Sequence, residues 1–279
     1  MSSIYGFDAF SPREIAERID AIGVAKARLP LRSMFLLSVL AGAFIGLGSL
    51  MFTLVTSDTQ LGFAASRLLG GVVFSLGLLL VVVAGAELFT GNNLLAMAWA
   101  ERKISTMEVL RNWAVVCAGN FVGAVGLAAL VYLSRHWALN DMEVARQALR
   151  IAAAKAQLPA DQAFFRGVLC NVLVCMAVWM ATAGRSVTDK AIAIVPPIAA
   201  FVAAGFEHSI ANMYFFPLAL MLQAGEPALA GTVPAGTVSL GALFANLGPV
   251  IAGNLVGGSV LVAGVYWVIY LSTRPRDQG

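Results

Sequence analysis

Glu87 and Glu207 each lie in the middle of a long apolar run, and each stands five residues ahead of an asparagine, Asn92 and Asn212. Of the fifteen acidic residues in the chain, only these two are so placed. A carboxylate at the centre of a membrane helix costs about 2.5 to 3.5 kcal/mol on insertion scales, so it faces a partner or a cavity. His208 follows Glu207 directly, Thr90 lies between Glu87 and Asn92, and Asn171 interrupts a third apolar run. A lone histidine in a helix bundle is ordinarily structural; its place beside a buried carboxylate at a predicted helix break favours function. No nucleophile sits with its base, and no phosphate-binding glycine loop or metal-ligand set accompanies these groups. They furnish a selective passage, and no enzyme or cofactor is expected. Cys117, Cys170 and Cys175 are odd in number, lack framework spacing and read as small buried hydrophobes.

The elements that must hold these groups follow from composition. The 279 residues are 59% hydrophobic and 12% charged, with mean hydropathy +0.84, against about 25% charged in soluble domains. A soluble enzyme is excluded, and a formal net charge of +3 gives no basic face for nucleic acid. A bilayer-spanning helix needs roughly 20 apolar residues. Six stretches qualify, at about 33–56, 68–99, 109–134, 163–183, 188–222 and 244–271, so the fold class is an all-α membrane protein. Six spans put both termini on one side. With the termini cytoplasmic, twelve Lys and Arg lie inside against six outside, which the positive-inside rule favours. The expected division is a cytoplasmic amphipathic helix within 1–32, a channel domain at 33–271 and a tail at 272–279. No removable signal peptide is expected, because no apolar core with a cleavage site opens the chain. Ser11-Pro12-Arg13-Glu14 reads as a cap for the first helix, which is expected to end near Gly23. Its stripe of Ile15, Ile19 and Ile22 is read as a packing face, with a cytoplasmic partner as the alternative.

The two glutamate runs are too long for single spans, and they read as copies. Glu87 and Asn92 are echoed by Glu207 and Asn212 at an offset of 120, and Ala118-Gly119-Asn120-Phe121-Val122-Gly123 by Ala252-Gly253-Asn254-Leu255-Val256-Gly257 at 134. Three spans followed by three spans would invert the second copy, with the second and fifth helices broken near the midplane. Gly42/Gly46, Gly119/Gly123 and Gly253/Gly257 are small residues four apart that permit close helix packing. This spacing does not separate contacts within a subunit from contacts between subunits.

A resemblance enters at these same residues. Glu87-Leu88-Phe89-Thr90-Gly91-Asn92, Leu169 to Trp179 around Asn171, Gly184-Arg185-Ser186 with Asp189-Lys190, and Gly205-Phe206-Glu207-His208-Ser209-Ile210-Ala211-Asn212-Met213 resemble the signature segments of the formate/nitrite transporter family, nearest to its formate channels. The resemblance implies an aquaporin-like protomer in a homopentamer of the bacterial inner membrane, with one pore per protomer for a small monovalent anion. His208 is then the pore histidine, Thr90 lies in the mobile loop of the second helix, Asn171 is a polar neighbour in the lumen, and Lys155 is a vestibule lysine. Phe74, Leu78, Leu88, Phe89, Val174 and Phe201 match the two apolar constrictions, and Gly91, Asn92 and Asn93 the gating loop. Glu87, Glu207 and Asn212 are expected to support this pathway, because a carboxylate facing an anion would repel it. Dehydrating an anion between apolar slits is costly unless the charge is cancelled, and a proton shared by His208 would cancel it. Formate, nitrite and hydrosulfide remain open as substrates, with a neutral-solute channel of the same architecture as a further alternative.

Overall fold

The computed structural model describes residues 9–272, so the terminal segments 1–8 and 273–279, with most of the expected tail, lie outside the described residues. Helix α1 spans Pro12–Ala27 and starts as its sequence dictates: the Ser11 side chain accepts from the Glu14 N–H, and Glu14 accepts in return from the Ser11 N–H. It runs past Gly23, the expected end, because Gly23 keeps helical backbone angles instead of a left-handed φ; there the helix lies close against Ala98. Ile15 and Ile19 are buried while Ile22 is exposed.

Six helices are long and apolar enough to cross a membrane. They are α2 (Leu31–Thr56), α3 (Phe63–Gly85), α4 (Thr106–Leu133), then, after the short amphipathic α5 (Glu143–Ala156), α6 (Ala160–Ala183), α7 (Val187–Ala204) and α9 (Leu240–Tyr270). Helix α8 (Ser209–Gly225) follows α7 after four non-helical residues. No strand occurs among the described residues.

The bundle is held by pairs: α2 along α4, α6 along α9, and α3 against α7. Small residues make the pairs close. A Cβ on Gly42 would strike the Asn120 carbonyl, and one on Gly123 the Val39 carbonyl. In the other pair, Gly253 and Gly257 meet the Phe164 and Val168 carbonyls. The glycine spacing therefore serves contacts within one subunit.

Both long apolar runs stop at mid-run, and at equivalent residues. Gly85 and Gly205 take φ of +84° and +74°, a region that L side chains avoid, and the chain then turns out of its helix. At each turn an N–H reaches back five residues, Ala86 to Val81 O and Phe206 to Phe201 O, at 3.0 and 3.1 Å. After the first break the chain resumes as a 3-10 turn, Gly91–Leu95, and after the second as α8.

Candidate functional site

Each break exposes backbone groups that need partners in a dry interior, and the sequence supplies the same partners twice. Asn120 Oδ1 accepts from the Phe89 N–H, and its Nδ2 donates to the Ser38 and Glu87 carbonyls. Asn254 Oδ1 accepts from the Ser209 N–H, and its Nδ2 donates to the Gly167 and Glu207 carbonyls. Glu87 N–H donates to Leu37 O, as Glu207 N–H does to Arg166 O.

The carboxylates are satisfied the same way. Lys26 Nζ lies 2.8 Å from Glu87, Asn92 Nδ2 donates to Glu87 and to Asn112 Oδ1, and Asn112 Nδ2 returns to Lys26 O. Lys155 Nζ lies 2.9 and 3.0 Å from the two oxygens of Glu207. Asn212 Nδ2 donates to Glu207 and to Asn246 Oδ1, and Asn246 Nδ2 returns to Lys155 O. The duplication thus reaches further than the motif comparison: Lys26/Lys155, Leu37/Arg166 and Ser38/Gly167 share an offset of 129. Helix α1 is the counterpart of α5. Sequence reasoning missed Lys26, Asn112 and Asn246 as site residues, although Ala25-Lys26 and Ala154-Lys155 end their helices alike.

The copies differ where chemistry is concerned. Equivalent to Leu88 stands His208, the N-cap of α8, whose Nδ1 accepts the Ala211 N–H at 3.2 Å. That bond fixes the tautomer: Nδ1 holds a lone pair and Nε2 carries the proton. Nε2 then donates to Thr90 Oγ1 at 3.1 Å, which leaves the threonine proton for another acceptor. The imidazole stacks on Phe201, and Phe201 meets Phe74 edge-on at 5.6 Å.

Two cavities with no lining residue in common lie near this point, the first reaching His208 itself and the second Leu88 and Gly91 on either side of Thr90 in sequence. The first, about 360 Å³, is lined by Phe74, Phe201 and His208 at its floor and by Arg67, Arg150, Lys155 and Arg166 among its walls. The second, about 380 Å³, is lined by Leu78, Leu88, Gly91 and Asn92 with Arg18, Lys26 and Lys190. Helix α1 walls the second cavity through Arg18, Ile19, Ile22, Gly23 and Lys26. Of the expected constriction residues, Phe89 and Val174 are buried but line neither cavity.

Two expected roles take a different form, and the positive φ of the first break lies outside the expected gating loop. Lys155 reaches the first cavity, yet its charge is spent on Glu207, so it is not a free attractor. Asn171 is wholly buried and lines neither cavity; its Nδ2 donates to the Thr90 carbonyl, Asn93 Oδ1 and the Asn254 carbonyl, which clamps the first break to α9. Gly91 does not supply the unusual backbone angle, which falls at Gly85, and a Cβ on Gly91 would make only ordinary contact with Val178. Asn93 holds the loop through the Phe89 carbonyl.

Residues 13–268 match the model of the formate/nitrite transporter family. The chain belongs to the formate/nitrite transporter family. It is 38% identical over 274 residues to the formate channel FocA of Escherichia coli strain K12, covering 95% of this chain and 96% of that protein. It is 39% identical to a probable formate transporter of Methanothermobacter thermautotrophicus, covering 94% and 97%. Among solved structures it resembles a pentameric formate channel with formate bound, at TM-score 0.81 and 39% identity, over 86% of this chain and 98% of that one. An ion channel of the same family matches at TM-score 0.81 and 31% identity, over 92% and 98%. The family assignment agrees with the resemblance drawn from the broken-helix motifs.

Proposed function

We propose that this chain is a homopentameric inner-membrane channel for small monovalent anions, formate first among them, with one pore in each protomer. The observation that carries the reading is the His208 Nε2–H to Thr90 Oγ1 pair, set between two cation-lined cavities that apolar side chains hold apart. The names of FocA and of the formate-bound pentamer support formate and the assembly.

An anion in the first cavity meets arginines, then the Phe74–Phe201 slit, where water is lost. Its charge is offset there by fixed donors: the Thr90 hydroxyl, oriented by His208, and the N-terminus of α8, whose backbone dipole favours negative charge. Both Lys–Glu pairs are internally neutral, so they shape the two breaks without repelling the ion. Proton exchange through His208 requires Nδ1 to take a proton and release the Ala211 N–H, after which Nε2 can give one to the anion. Neutral acid then crosses the slit; the cap reforms once a proton returns to Nε2 and Nδ1 releases its own to water.

The two copies run in opposite directions on this reading, because three spans separate every equivalent pair. The termini and the α1 cavity face the cytoplasm on this reading, which the positive-inside bias of Lys and Arg supports. Initial uptake of formate, nitrite and hydrosulfide by proteoliposomes, with and without a pH gradient, tests the function. Formate uptake exceeding the other two and accelerated by acid outside is expected. Preference for nitrite or hydrosulfide overturns the substrate, and equal passage of a neutral solute overturns the anion channel.

A further inference from the structure

The first cavity carries more positive charge at its mouth than one monovalent ion needs. Its deep lysine is neutralised by Glu207, the one carboxylate among the described residues that line it. Three guanidinium groups remain. Arg67 is held by the Val202 and Ala203 carbonyls at 2.7 and 3.0 Å, contacts that keep its charge uncancelled. Arg150 shares a single acid, Glu143 outside the cavity, with Arg146, and that pair is half exposed, so little of its charge is cancelled in water. Arg166 comes from a third helix, α6. Gln147, Arg150, Ala154 and Lys155 line the cavity from one face of α5, and Ser66 adds a hydroxyl beside Arg67.

Guanidinium forks suit oxyanions with several acceptors, where an ammonium offers a point charge. A volume of about 360 Å³ holds on the order of ten waters at ~30 Å³ each, enough for a partly hydrated tetrahedral ion. Passage is another matter. A dianion would have to leave both charges uncompensated between Phe74 and Phe201, where one threonine proton and one helix end are offered. We propose that the mouth of the first cavity binds tetrahedral dianions of the sulfate or phosphate type, retains them without conducting them, and thereby makes them competitors of the conducted ion on that face alone. The competition rests on the channel reading; the binding does not.

Sulfate is the probe. Isothermal titration of the purified pentamer at fixed ionic strength should show saturable binding in the parent. In Arg150→Gln/Arg166→Gln binding should weaken roughly tenfold, equivalent to about 1.4 kcal/mol. Both arginines are exposed, and size-exclusion chromatography confirms that the variant assembles. Arg166→Lys, which keeps charge but loses the fork, should fall between. Lys190→Gln, in the second cavity, should bind sulfate as the parent does. Unsaturable heats in the parent, or equal affinity in parent and double variant, overturn the site. In proteoliposomes sulfate on the first-cavity face should raise the apparent KM for formate, and binding without that effect overturns the competition. Sulfate binding intact in a protein that passes no formate would instead overturn the channel reading and leave the site standing.

Discussion

At the scale of single residues, the geometry gives His208 two tasks that substitution can separate. Asparagine retains a side-chain acceptor suited to an N-cap, whereas alanine loses it at about 1 kcal/mol. His208→Asn should therefore assemble and melt like the parent while its formate flux no longer changes with pH, and His208→Ala should melt lower as well. A pH profile for His208→Asn identical to the parent's would remove proton exchange from the histidine. Lys155 is a different case, because 14% of its side chain is exposed and only 6% of Glu207's. Removing one member of such a pair leaves a buried charge unpaired, at about 3 to 5 kcal/mol. Lys155→Met should lower the thermal midpoint of the protein sharply, and Lys155→Met/Glu207→Gln should recover most of the loss. A Lys155→Met protein of parental stability with flux lost only at low salt would restore the lysine to an attracting role.

At the scale of elements, the breaks show what sequence can and cannot reveal. Glu87 and Glu207 announced both interruptions, since a carboxylate in an apolar run needs special surroundings, and the repeated glycine–asparagine string located the side chains that satisfy them. The lysines that pair with the carboxylates were not legible: Lys26 is 61 residues from Glu87 and Lys155 is 52 from Glu207, and each sits on an amphipathic helix where a charge looks ordinary. Asn171 read as a pore residue from its polarity, but polarity alone does not say whether an amide faces a lumen or a neighbouring carbonyl. The glycine that turns the chain, Gly85, was not legible either, because a left-handed φ has no signature of its own in a run that holds several glycines. Alanine forced into that conformation costs about 1 to 2 kcal/mol. Gly85→Ala and Gly205→Ala should each depress thermal stability and formate flux, the second also crowding Arg67 Nη2 at 2.9 Å, while Gly91→Ala stays near the parent. If Gly91→Ala proves the more damaging in flux measurements, the loop visits a second conformation in which Gly91 takes a positive φ.

At the scale of the whole molecule, duplication imposes a test of orientation. Equivalent lysines, Lys26 and Lys155, line different cavities, and the helices carrying them, α1 and α5, stand before the first and fourth spans. On the proposed inverted arrangement, the three spans between them put the cavities on opposite faces of the membrane. The proposed orientation, which follows the distribution of Lys and Arg between the loops, opens the arginine-rich first cavity to the outside and the α1 cavity to the cytoplasm. Cysteines report this directly. Ser66 lines the first cavity and Ile22, 43% exposed, the second; the native Cys170 and Cys175 are buried and Cys117 is half-buried, so the parent sets a low background. In intact cells a membrane-impermeant maleimide should label Ser66→Cys and spare Ile22→Cys, which becomes reactive only after the membrane is opened. Labelling in the reverse order would turn the molecule over. Labelling of both in intact cells would mean that the Phe74–Phe201 slit admits a reagent far larger than any monovalent anion, and the barrier would then have to be sought elsewhere than between these rings.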